Sequence, residues 1–208
     1  MDLLLFLPVL VFSVICHEVA HGLVALRFGD ETALRDGRLT LNPLPHIDPV
    51  GSIIFPTICA LLHFPIFGWA KPVPVNPNRF SSYRAGVIWV SLAGPLTNML
   101  LAVIFAGFLY LSVAFGFLST ALLQRFVSQA VLLNLVLAVF NLIPIPPMDG
   151  SKIMSAVLPY ELSQKYDQLE PYGFFIVMAL IATGVLGKIL YPAVEFLYRI
   201  ILQVVWVH

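Results

Sequence analysis

The chain has 208 residues, of which 60% are hydrophobic and only 11% charged, with zero formal net charge and a mean hydropathy of +0.94. Soluble domains carry about 25% charged residues, so the composition excludes a soluble globular class and points to a polytopic protein in a lipid bilayer. No basic block suits nucleic acid, and Cys16 and Cys59 both fall in apolar stretches, where they read as small buried hydrophobes rather than a disulfide pair.

Leu3 to Leu26 is about 24 residues, or roughly 36 Å of helix, enough to cross a hydrocarbon core of about 30 Å. Met1-Asp2-Leu3 lacks a basic start and no Ala-x-Ala cleavage site follows, so this run reads as a retained span with Pro8 bending its first end. Arg27-Phe28-Gly29-Asp30 carries a helix-stop signal. Leu34 to Leu41 places two short alternating arms around Asp36-Gly37, which predicts a β-hairpin. Pro43, Pro45 and Pro49 make the next stretch irregular, Gly51 to Ile66 is apolar but broken by Pro56 and Pro65, and Phe67 to Pro77 reads as an extended edge segment. Ala85 to Leu118 predicts one kinked helix through Gly94-Pro95, and Phe126 to Ile143 a further span. After Asp149-Gly150, Ser151 to Leu158 suggests a short helix, Ser163 to Glu170 an interfacial stretch, Tyr172 to Leu190 a span, and Tyr191 to His208 a last crossing. The expected fold is an all-α membrane protein of about five transmembrane helices with a short β-hairpin and a re-entrant segment, residues 1–208 forming a single domain.

Chemistry enters at His17-Glu18-Val19-Ala20-His21. Residues four apart share a helix face, so His17 and His21 can offer imidazole nitrogens to one metal while Glu18 stands beside its open side. Ionisable groups at membrane depth are costly unless they serve a site. Zinc lowers the pKa of bound water to about 7, and the neighbouring carboxylate can then take and return a proton. A hydrolytic zinc needs a third protein ligand; His46, Asp48, His63, Asp149 and Glu195 are the candidates. Asp149 stands out because Pro144, Pro146 and Pro147 stiffen its approach and Gly150 frees the turn after it. His46 and Asp48 otherwise read as loop groups bonding local backbone, and His63 as interfacial.

For Asp149 to reach the depth of His17 and His21, the first span and Phe126 to Ile143 must run in the same direction and Ala85 to Leu118 against them. Gly51 to Ile66 must then return to the side it left. That topology puts Arg27, Arg35, Arg38, Lys71, Arg79, Arg84, Lys152 and Lys165 on one side and leaves Arg125 and Lys188 opposite, a positive-inside bias.

His17-Glu18-Val19-Ala20-His21, Gly94-Pro95-Leu96-Thr97-Asn98 and Asn141-Leu142-Ile143-Pro144 through Asp149-Gly150 together resemble, in order and spacing, the three signatures of the site-2 protease family of intramembrane zinc metalloproteases. The resemblance covers roughly Ser13 to Lys152 and is that of a minimal form without a PDZ or CBS domain. It implies a three-helix catalytic core, one zinc held by His17, His21 and Asp149, Glu18 as general base, and Asn98 orienting substrate or stabilising an oxyanion. It further implies an endopeptidase cutting membrane-embedded protein or peptide segments, in a prokaryotic plasma membrane with the site toward the cytoplasm. The alternative is a catalytically silent zinc-binding regulatory protein; the intact Glu18 speaks against it, since a structural zinc has no need of that carboxylate.

Overall fold

The computed structural model describes residues 3–62, 68–116 and 121–206. Helix α1 (Leu3–Arg27) is the first long apolar element. It stops at Gly29 (φ +99°), where the Asp30 N–H reaches back to Ala25 O at 3.0 Å and the Gly29 N–H to Leu26 O at 3.0 Å. This is a left-handed glycine stop that satisfies the last carbonyls.

The predicted hairpin at Leu34 to Leu41 is not there, and no strand occurs among the described residues. A single helical turn, α2 (Thr32–Arg35), takes its place. Gly37 (φ +63°) ends that turn: the Arg38 N–H bonds Ala33 O at 2.9 Å and the Gly37 N–H bonds Leu34 O at 3.1 Å. Asp-Gly serves a helix stop as well as a hairpin: a type I′ hairpin turn needs positive φ at both residues, the helix stop at the glycine alone, and here Asp36 has φ −83°.

Beyond the proline-rich stretch, a wide turn at Pro49–Ile54 leads into α3 (Phe55–Leu61). The 13 residues Pro49–Leu61 form one apolar helical piece of roughly 20 Å, short of a crossing. By Trp69 the chain is back beside its start: the Trp69 N–H bonds Gly51 O at 3.1 Å, its carbonyl accepts from Ser52 Oγ at 2.9 Å, and its indole lies where a Cβ on Gly51 would be. The described residues on either side of the segment, Gly51 and Trp69, are thus neighbours. His63 lies outside the described residues.

Helix α4 (Tyr83–Ala114) runs unbroken through Pro95, and α5 (Ala121–Asn141) follows. Helix α4 packs against α1 and α5, and α1 against α5, so these three form the core of the protein. Small residues make the approach close: Ala102 and Ala106 on α4 meet Val131 and Leu135 on α5, while Ala130 and Leu133 meet Val9 on α1. Outward positions such as Leu100, Ile104 and Phe108 stay exposed, as lipid contact requires. Two bonds set the directions. Ser81 N–H donates to Phe28 O at 2.8 Å, joining the start of α4 to the end of α1, and Arg84 Nη2 donates to Val157 O at 3.0 Å, joining it to the chain that follows α5.

Helices α6 (Asp149–Val157) and α7 (Tyr160–Asp167) follow. The expected single span Tyr172 to Leu190 is two pieces, α8 (Gly173–Ala182) and α9 (Val185–Trp206), meeting at about 80° where Gly184 adopts φ +71°. Among the described residues three helices are long and apolar enough to cross a membrane, or four if that bent pair is one span, fewer than the five expected.

Candidate metal centre

His17 and His21 sit one turn apart on α1, and their imidazoles enter the gap between α1 and α4. Helix α4 can come that near because position 94 is glycine; a Cβ there would lie within 2.6 Å of ring atoms of both histidines. One turn on, Asn98 is fully buried and its Oδ1 stands 2.6 Å from His17 Nδ1; one turn before, the Val90 carbonyl stands 2.6 Å from His21 Nδ1. A carbonyl can only accept, so His21 Nδ1 carries the hydrogen, and its partners direct both Nε2 atoms inward. Asn98 Nδ2 donates to Asn134 Oδ1 at 3.0 Å, and Asn134 donates in turn to Ala130 O on its own helix at 2.9 Å.

The turn through Pro144 to Met148 delivers Asp149 to the same point. A Cβ on Gly150 would strike the carbonyls of Leu142 and Ile143, so only glycine lets α6 start tight against the end of α5. Asp149 Oδ2 lies 3.2 Å from His17 Nε2 and 3.1 Å from His21 Nε2, and the two Nε2 atoms are 3.0 Å apart. Four-coordinate zinc with bonds of about 2.0–2.2 Å sets its ligand atoms roughly 3.3–3.5 Å apart, close to this triangle. Two imidazole lone pairs and a carboxylate converging in a buried place fit a dication and fit little else. Among the described residues this is the one group of three or more such side chains near enough to share a metal.

The triangle opens on a cavity of about 310 Å³ lined by His17, Glu18, His21, Val73, Asn141 and Asp149 among others. Glu18 faces that cavity, and its Oε2 accepts a 2.7 Å hydrogen bond from the Val73 N–H. Asn98 lies behind His17, away from the cavity lining. The other predicted candidates are elsewhere: His46 Nε2 is 2.9 Å from Thr40 O, Asp48 Oδ1 caps Gly51 N at 2.7 Å, and Glu195 pairs with Arg199 on α9. Asn134, the Val90 carbonyl and the Val73 N–H carry no motif signature. An asparagine in the middle of an apolar helix was the one available sign for Asn134.

A Bacillus subtilis protein with the provisional name zinc metalloprotease YwhC is 42% identical over 187 residues, spanning 88% of this chain and 82% of its own. The chain belongs to peptidase family M50, the site-2 protease family. The family profile itself matches residues 112–183, which include Asp149. A Mycolicibacterium smegmatis protein provisionally named zinc metalloprotease Rip2 is 31% identical over 89% of this chain and 70% of its own, and a Mycobacterium tuberculosis protein of the same name is 28% identical over the same shares. No solved structure matches. This M50 member is thus an integral membrane protein of a zinc metalloprotease family, and zinc is the metal that the family and its relatives' names indicate.

Proposed function

We propose that this M50 protein is an active zinc endopeptidase that hydrolyses peptide bonds in membrane-embedded segments, residues 1–208 acting as one catalytic domain. The observation that carries the reading is the buried His17–His21–Asp149 triangle with the Glu18 carboxylate on the same cavity. His17 and His21 through Nε2, and Asp149 through Oδ2, would hold one zinc. Bound there, zinc supplies Lewis acidity toward a peptide carbonyl and toward water. Glu18 takes the proton of the attacking water and returns it to the amine nitrogen as the C–N bond breaks. Asn98 holds the His17 ring in the orientation and tautomer that turn Nε2 to the metal, a positioning role rather than contact with substrate.

A transmembrane helix has its carbonyls bonded internally and must unwind before attack. Residues 68–76, an irregular segment along the cavity, offer the edge on which an unwound substrate would lie. Basic residues gathered at the end of α1 and the start of α4 support a site facing the cytoplasmic side of a prokaryotic plasma membrane.

Glu18→Gln should keep one zinc per chain and abolish cleavage of a membrane substrate; Asp149→Ala should lower zinc content. Cleavage by the Gln variant would sink the mechanism, and undiminished zinc in the Ala variant would remove Asp149 as a ligand.

A further inference from the structure

We infer that the main-chain N–H of Val73 positions the Glu18 carboxylate, and that the proline-flanked segment carrying it is built for that purpose, with Arg38 as its strut. The inference rests on Glu18 being the base.

The contact is specific in its chemistry. Glu18 Oε2 accepts from Val73 N at 2.7 Å, the one hydrogen bond the carboxylate makes among the described residues, and Glu18 lines the cavity. Residues 72 and 74 are prolines and have no N–H, so Val73 carries the one donor of that tripeptide. Proline at 72 and 74 also keeps Lys71 and Val73 out of the helical region. The donor is therefore single and its backbone stiff.

The segment is pinned on both sides of Val73. Before it, Lys71 N–H donates to His46 O at 2.9 Å, and buried Arg38 spans two consecutive carbonyls, its Nη2 donating to Lys71 O at 2.7 Å and Pro72 O at 3.2 Å. After it, Asn76 N–H donates to Asp30 Oδ2 at 2.6 Å. Helix α1 makes room for it: Gly22 lies one turn beyond Glu18 on the same face, and a Cβ there would come within 3.0 Å of Val73 Cγ1 and closer still to Leu39 Cδ2. A glycine on the helix, two prolines, a buried arginine and a buried aspartate thus converge on one hydrogen bond.

A glutamate has several freely rotating bonds, and a base serves only when its oxygen is held within reach of the proton. Fixing Oε2 to a pinned N–H limits that rotation and holds the carboxylate at the cavity it lines. Polar groups of an irregular stretch are costly to leave unpaired at membrane depth, and here the Lys71 and Pro72 carbonyls and the Val73 and Asn76 N–H groups are satisfied by side chains that set the segment's position.

The test uses Val73→Pro, which deletes the N–H and sets a ring carbon against the Glu18 oxygen it held, compared with Val73→Ala, which deletes only side-chain packing. Arg38→Lys, which shortens the strut and removes its fork, is a second route to the same displacement. Full-length protein in detergent or bilayer discs is assayed for zinc content, melting temperature, kcat and KM. Val73→Pro should retain zinc, lower kcat by about 10- to 100-fold and leave KM within about threefold, and its loss should exceed that of Val73→Ala by about tenfold. Arg38→Lys should lower kcat in the same direction with zinc retained. If Val73→Pro loses zinc and fold, Arg38→Lys decides alone. Wild-type kcat in the deciding variant overturns the proposal. So does a loss equal to that of Val73→Ala, or a rise in kcat, which would mark the contact as a restraint on the base. Cleavage by Glu18→Gln would instead remove the underlying mechanism, a distinct outcome.

Discussion

Replacing Gly94 with alanine would place a methyl group within 2.6 Å of ring atoms of both His17 and His21. Ordinary carbon contacts begin near 3.5 Å, so the rings or helix α4 must give way by about 1 Å. Helix α4 has little freedom to retreat, because Val90 O and the Asn98 side chain are bonded to the same two rings. Metal ligands tolerate displacements of only about 0.2 Å. Gly94→Ala should therefore weaken zinc binding by about 100-fold, the upper end of what disturbed supporting groups cost, and overpacking should lower stability by about 1–3 kcal/mol. Gly107→Ala is the control: it lies on the same helix with nothing within 4 Å of its would-be Cβ, and it should bind zinc normally and gain about 0.5–1 kcal/mol from reduced backbone freedom. Chelator competition on the purified proteins measures the affinities. Wild-type zinc affinity in Gly94→Ala would refute the close-approach reasoning.

Asn98→Ala removes the partner of His17 Nδ1 and should weaken zinc by about 10- to 100-fold. Asn134→Ala leaves Asn98 Nδ2 with only Ser13 O at 3.4 Å, so the same titration should show a smaller loss in the same direction. Asp30, at the end of α1, is predicted to give a pH-dependent stability. Burial would raise its pKa, but hydrogen bonds from Asn76 and Thr32 and the charge of Arg79 outweigh that and hold it below the ordinary value. A folded-state pKa below the unfolded value of about 3.9 means its contribution is complete above that pH and is lost as pH falls toward the folded value. The gap in melting temperature between wild type and Asp30→Asn should be constant from pH 7 to about 5 and close below about pH 4; a gap that widened on acidification would contradict the assignment.

The long apolar helices and the positions of their charged groups were legible because lipid imposes a length and a hydropathy that few other structures share. Prolines and the distribution of basic residues led to the expectation that Gly51 to Ile66 turns back, and the Trp69 N–H bonded to Gly51 O is in keeping with it. Asp36-Gly37 misled because a positive-φ glycine serves two kinds of turn, and only the Arg38 N–H reaching Ala33 O distinguishes them. The Tyr172 to Leu190 run misled because hydropathy averages over Gly184, whose φ of +71° breaks the helix.

At the site, sequence alone determined which side chains share the α1 face, since His17 and His21 are related by the period of the helix itself. It also singled out Asp149, held on a stiff proline-rich approach. What tertiary structure alone decided is how those groups are supported: Gly94 as clearance for two rings, Asn98 and Asn134 behind His17, and Val73 N–H on Glu18. Local periodicity can assign a residue to a face. A hydrogen bond between residues 36 to 85 positions apart in the chain, or a contact made by an absent side chain, depends on how the helices pack.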